Sequence, residues 1–320
     1  MKKMITCLVA MAALVGCSKS DDNGGGISIS EGTFPKKIVD KGSNGNVTYE
    51  TIYNLQGGKI LSTTFISYKP DGSIESKSLI SASYEGDYPK EITHTESITN
   101  GEKKNYTETY SFVDGKLKNT TLKHDTNPRA TTTTTYSYHN DGKLAKVLFE
   151  EPGNAGQNGQ IEKITFVTET DYTHIGNVTS AAEKRYTKDA QGNKRDGDTS
   201  LTIYTYTFEN ENLIKVTKST TGHESTTEYT YDGKNNPNLQ NLKKLVDPDY
   251  FISASGSKNN ILTEKTTYKG SHNASPYVSE YVYEYTYADN NYPLTEKVFR
   301  KRTENGVEKK ELVLTKEYTY

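Results

Sequence analysis

Tyrosine on alternate positions is the feature that most narrows what this chain can fold into. From Tyr277 to Tyr287 one face takes Tyr277, Ser279, Tyr281, Tyr283, Tyr285 and Tyr287, and the other takes Val278, Glu280, Val282, Glu284 and Thr286. A period of two belongs to the β-strand, whose successive side chains point to opposite faces. Tyr204, Tyr206 and Phe208 against Ile203, Thr205 and Thr207 repeat the split, as do Leu312, Leu314, Tyr318 and Tyr320 against Val313, Thr315, Glu317 and Thr319. An aromatic face opposed to a threonine and charged face is the signature of an antiparallel sheet with one wet side.

The strands come in repeats. Tyr53 to Leu61, Tyr110 to Leu117 and Tyr138 to Leu144 each run from tyrosine through Gly-Gly or Asp-Gly to a lysine and an apolar residue. Weaker copies start at Tyr84, Tyr172, Tyr206, Tyr231 and Tyr287. Tight hairpins need residues that tolerate positive φ, which these turns supply. The reading is an all-β fold, an antiparallel meander of repeated hairpins rolled into an open barrel or a sandwich. Tyrosines on neighbouring strands are expected to pack as cross-strand pairs. With 25 Tyr, 8 Phe and no Trp, the tyrosines are also the main material for a core.

One stretch breaks the pattern. Leucines 239, 242 and 245, bounded by Pro237 and Pro248, suit a short helix or loop insertion near 236–248 that covers one end of the sheet. Glu150 to Gly159 marks a divide if the chain holds two β domains instead of one.

The N-terminus carries an address. Lys2 and Lys3 precede an apolar run from Met4 to Val15, too short to span a bilayer. The run closes on Leu14-Val15-Gly16-Cys17, which resembles the lipobox of bacterial lipoproteins. This resemblance implies a signal peptide over 1–16, diacylation of Cys17, a polar, glycine-bearing tether over 17–29 and an all-β domain over 30–320. Cys7 leaves with the signal, so the one remaining cysteine is the lipidated one, which excludes disulfides, thiol catalysis and Cys-based metal sites. The acidic stretch at Asp21 and Asp22 is similar to the surface-export signal of Bacteroidota lipoproteins.

The tyrosine, Asp/Asn-Gly, Lys, Leu grammar resembles the YD repeats of the RHS family. More closely, it is similar to the tyrosine-repeat lipoproteins of unknown function in Bacteroidota. The resemblance implies hairpin repeats and brings no catalytic residues.

Motifs for chemistry are sparse. His94, His124, His139, His174, His223 and His272 are scattered among repeats without metal-ligand spacing, and no phosphate-binding loop or nucleophile elbow is present. Glu280 with Glu284, or Glu108 with Glu228, are the carboxylates a glycoside hydrolase would need. The calcium candidate is the loop with Asp189, Asp196 and Asp198, which lacks the EF-hand register. Lys+Arg 39 against Asp+Glu 41 argues against nucleic acid. No cofactor is implied. The leading reading is a lipid-anchored outer-membrane or cell-surface module, non-enzymatic, that binds glycans or protein partners, with Tyr281, Tyr283 and Tyr285 as candidate ligand contacts. The alternatives are a periplasmic carrier of an apolar ligand inside the rolled sheet and, third, a glycoside hydrolase.

Overall fold

The computed structural model describes residues 33–98, 103–124, 127–157, 160–195, 199–240, 246–270, 277–304 and 307–320. Eighteen strands account for most of them. The first six are β1 (Lys37–Gly42), β2 (Val47–Gln56), β3 (Lys59–Tyr68), β4 (Ile74–Glu85), β5 (Tyr88–Ile98) and β6 (Lys103–Val113). Next come β7 (Lys116–His124), β8 (Asn127–Tyr138), β9 (Leu144–Gln157), β10 (Gln160–Ile175), β11 (Val178–Lys188) and β12 (Ser200–Glu209). The last are β13 (Asn212–Thr220), β14 (His223–Tyr231), β15 (Ile261–Lys269), β16 (Tyr277–Tyr287), β17 (Pro293–Glu304) and β18 (Val307–Thr319).

Every strand pairs antiparallel with its sequence neighbours, and β1 also pairs with β18 through Ile38 opposite Tyr318. The meander therefore closes into a barrel, and closure leaves no unpaired edge to invite aggregation. Residues 150–157, the expected divide, form part of β9 and pair with β10 inside this one sheet.

The repeat unit is a hairpin of an even and an odd strand. All the tight tyrosine-repeat turns lie at one rim, between β2 and β3, β4 and β5, and so on to β16 and β17. At Asp114–Gly115 and Asn210–Glu211 both central residues have positive φ, the requirement of a two-residue turn whose twist matches the strands. Most of these hairpins then carry one extra residue just past the turn. Leu55 pairs with Ile60 but Asn54 with Ser62, and Phe208 pairs with Leu213 but Thr207 with Lys215. The bulge keeps Ile60 and Leu213 on the tyrosine face, where they are 4% and 1% exposed.

Tyrosine hydroxyls tie several hairpins to the one before. Tyr84 donates to the carbonyl of Ile60 at 2.8 Å, Tyr138 to Leu117 at 2.8 Å and Tyr231 to Leu213 at 2.6 Å. Tyr285 to Ile261 (3.0 Å) and Tyr320 to Pro293 (3.1 Å) continue the series. In each case the acceptor is the apolar residue near the start of an odd-numbered strand. This explains why the repeat spells tyrosine there: phenylalanine would fill the volume but leave the carbonyl unpaired.

Two expectations are corrected. Rings do pair across adjacent strands, as at Tyr268 and Tyr277 or Tyr49 and Phe65, but not everywhere, because the repeat is two strands long and returns tyrosine mainly to the even ones. Tyr281 on β16 therefore lies between Glu264 and Arg300 on its neighbours, with Tyr229 two strands away, and Tyr283 lies opposite Val298. Leu312 does not share the face of Tyr318: a bulge at Val313 turns Leu314 inward and sets Leu312 opposite Phe299 on the outer wall.

The turn chemistry is testable at Gly142, whose φ of +89° closes the β8–β9 hairpin. A side chain there is strained whatever the space. Gly142→Val should lower the melting temperature clearly more than Thr133→Val on the outer wall, and equal melts would refute the turn assignment.

Candidate functional site

The tyrosine face is the inside of the barrel, because the insertion between β14 and β15 packs against it. This segment holds three short 3₁₀ turns, Pro237–Gln240, Tyr250–Ile252 and Ala254–Gly256, while residues 241–245 of the expected helix lie outside the described residues. Ile252 packs on a buried cluster of Leu117, Tyr136, Leu144, Tyr172, Ala181, Tyr206 and Leu213, drawn from seven consecutive strands. Phe251 lies 6.2 Å from the His174 ring and 6.1 Å from that of Phe208. Tyr172 donates to Asp249 at 3.0 Å. Asp247 lies close enough to help push up the Tyr110 hydroxyl on β6, and Tyr250 close enough to influence that of Tyr53 on β2. Strand β6 lies eight places round the ring from β14, so the insertion spans the barrel and forms a floor at the turn rim.

Polar side chains lock that floor in place. Ser257, 1% exposed, accepts from the amide of Leu213 at 3.1 Å, and the amide of Asn236 donates to the Ser257 carbonyl at 2.7 Å. Asp232 accepts from the backbone and side chain of Asn260 and from the hydroxyl of Tyr287. Phe34, 3% exposed, seals the same rim against Tyr53, Leu55 and Ile60.

The opposite rim is different. Its inward aromatics stay open to water among the described residues: Tyr277 is 59% exposed, Tyr268 48% and Phe166 46%. Tyr268 and Tyr277 sit directly across from one another, ring centroids 5.8 Å apart at 35°. The described barrel is thus a cup, closed at the turn rim.

Tyr281, Tyr283 and Tyr285 run down the wall from mouth to floor on β16, all facing inward and all half-buried. Their hydroxyls are partly engaged, Tyr283 with Glu264 at 3.2 Å and Tyr285 with the Ile261 carbonyl. Burial, then nearby carboxylates, pushes both hydroxyls far above the usual tyrosine range. Deeper in the cup, Asp40 is raised by burial against the opposing pull of Lys316, and Glu296, 9% exposed, accepts from Tyr318 at 2.6 Å. Tyr268, Arg300 and Glu264 had no sequence signal, since nothing local tells an inward charge from an outward one.

The expected carboxylate pairs are not brought together. Glu280 and Glu284 lie on the outer wall, held by Lys301 and Lys310. Glu108 faces inward, donated to by Tyr110 at 2.6 Å, whereas Glu228 faces outward opposite Lys215. Asp189 accepts from the amides of Gln191 and Asn193 within its own turn, which holds its carboxyl below the usual range. Asp196 and Asp198 lie outside the described residues, and no metal-ligand cluster occurs among those described.

The outer wall mixes threonine, serine and cross-strand ion pairs with scattered exposed apolar residues such as Ile52, Leu79, Ile203 and Val278. Thr109, Thr121 and Thr133 face one another across three strands. Lys37 meets Glu50 at 2.7 Å, Lys41 meets Glu317 at 2.6 Å, Lys188 meets Glu150 at 2.6 Å and Lys146 meets Glu169 at 2.9 Å. Barrels that cross a bilayer present a continuous apolar outer band, which these interspersed ion pairs interrupt.

No family model matches the chain, and neither does any curated protein sequence. Among solved structures, a porin-like protein from Bacteroides uniformis ATCC 8492 aligns with a TM-score of 0.38 and 13% identity, over 89% of this chain and 97% of its own. One from Bacteroides vulgatus ATCC 8482 gives 0.37 and 14%, over 90% and 98%.

Proposed function

We propose that this chain is a lipid-anchored cup that stands in water at the outer membrane and binds a ligand non-enzymatically inside its tyrosine-lined barrel. The observation that carries the reading is the contrast between rims: inward rings bare at one, 1–8% exposed core residues beneath the insertion at the other. The polar outer wall supports a water-facing barrel, because each lysine set against lipid at the bilayer midplane would cost about 2–4 kcal/mol. The lining mixes rings with tyrosine and threonine hydroxyls, carboxylates and arginine. That surface suits a polyhydroxylated ligand better than an alkyl chain, since rings stack on sugars and hydroxyls meet their polar edges. The chain enters the barrel at the floor rim through Phe34. A lipid on Cys17 therefore tethers the barrel from its floor side.

Two experiments test this. Cys17→Ala should leave uncleaved precursor that takes up no lipid label and no longer fractionates with membranes, and unchanged labelling would contradict the anchor. For the cup, Ser279→Cys places a thiol inside the mouth and Thr267→Cys places one on the outer wall. A bulky maleimide on the inner thiol should abolish oligosaccharide binding, read by tyrosine fluorescence, while the same label outside leaves it intact. Equal effects of the two labels would refute the interior site.

A further inference from the structure

We infer that the mouth sector formed by β15, β16 and β17 is a subsite for an anionic saccharide, one bearing carboxylate or sulfate groups. The inference rests on the cup reading above and names the ligand class. Two features of the wall carry it. The first is the Tyr268–Tyr277 pair, whose rings face the lumen yet remain about half open to solvent, a platform on which a sugar ring can stack. The second lies four residues deeper, about 13 Å along the strand. There Tyr281 is flanked directly by Glu264 on β15 and Arg300 on β17.

The two flanking charges are not equivalent. Glu264 is already engaged by the Tyr283 hydroxyl. Arg300 is half-buried and forms no ion pair among the described residues. Its neighbour across β18, Glu311, lies 3.7 Å from Arg302 instead. A guanidinium held part-way out of water beside an aromatic ring is suited to bidentate contact with a planar or tetrahedral oxyanion. The charge around it still favours the same sign of ligand: Lys218 and Arg302 join Arg300 in facing the lumen near this rim, against Glu264 and Glu311 at that level, while Asp40, Asp232 and Glu296 lie farther down the barrel. The spacing from platform to guanidinium calls for an oligosaccharide, not a monosaccharide.

The test uses the full chain in detergent, with tyrosine fluorescence as readout and four probes: an oligogalacturonate, a chondroitin sulfate tetrasaccharide, neutral cellotetraose and inorganic sulfate alone. At least one anionic oligosaccharide should bind ten-fold or more tighter than cellotetraose. Which one binds separates a carboxylate ligand from a sulfated one. Arg300→Gln should remove that preference, Arg300→Lys should restore part of it, and Tyr277→Ala should weaken all oligosaccharides, with the thermal melt of each variant confirming an intact fold. Equal binding of cellotetraose, an unchanged preference in Arg300→Gln, or binding of inorganic sulfate alone would overturn the inference. If neutral and anionic saccharides bind equally and the Ser279→Cys label blocks both, the anion subsite falls and the cup stands. If the inner label blocks nothing, both fall.

Discussion

Replacing Tyr172 with alanine is expected to lower the melting temperature by on the order of 10 °C. The ring is 5% exposed and sits in the cluster that joins the wall strands to the floor. Truncating a buried aromatic costs about 3–5 kcal/mol, because the transfer energy is lost and the cavity relaxes only in part. Against a total of roughly 5–15 kcal/mol that is a large share. Tyr172→Phe separates packing from bonding: it keeps the ring and leaves Asp249 without the hydroxyl that now donates to it at 3.0 Å, a loss of about 1–3 kcal/mol. Glu284→Ala is the control, since its exposed pair with Lys310 is worth at most about 1 kcal/mol. Tyr283→Ala should fall between the two, because that ring is only half-buried. A Tyr172→Ala melt that matches Glu284→Ala would mean that the floor is not docked on this cluster.

Much of the wall was legible in the sequence because both of its signals are local. Alternation put Tyr281, Tyr283 and Tyr285 on one face and Glu280 and Glu284 on the other, and the structure places those sets inside and outside. The turns were legible for the same reason, since positive φ selects Gly, Asn and Asp residue by residue. The bulges also left a trace, two apolar residues in succession after the turn, as in Ile60-Leu61, Leu213-Ile214 and Ile261-Leu262. One of each pair faces inward and the other is the extra residue, a distinction that only the partner strand reveals.

What the sequence did not display depends on distant contacts. Closure rests on Ile38 meeting Tyr318 from opposite ends of the chain. The floor rests on Asp249 and Phe251 reaching Tyr172 and Phe208, strands far from their own in order. In the candidate site the same holds for Arg300, an ordinary strand charge until the register turns it toward Tyr281.

The other large effect expected is a steep alkaline unfolding. Tyr53, Tyr84, Tyr138, Tyr231 and Tyr250 are each pushed up to about 12, chiefly by burial. Tyr110, Tyr136, Tyr172 and Tyr206 lie higher still, where burial is reinforced by neighbouring carboxylates and tyrosines. An unfolded tyrosine loses its proton near pH 10. Below that pH both states hold the proton and the stability is fully present. Above it the unfolded chain ionises first, so stability falls with rising pH until the folded groups ionise too. Each such tyrosine removes about 1.4 kcal/mol per pH unit in this window. The rings of Tyr84 and Tyr138 keep some contact with water and count for less. Even four groups acting fully would take away roughly 5–6 kcal/mol per unit, comparable to the whole stability of a domain. The barrel should therefore unfold within one or two units above about pH 10, with far-ultraviolet circular dichroism lost in the same step in which tyrosinate absorbance appears. Replacing Tyr172 by phenylalanine removes one titrating group and should make that step shallower. If the tyrosinate signal instead develops fully while the strand signal persists, the inward rings are open to water and do not form the core of the wall.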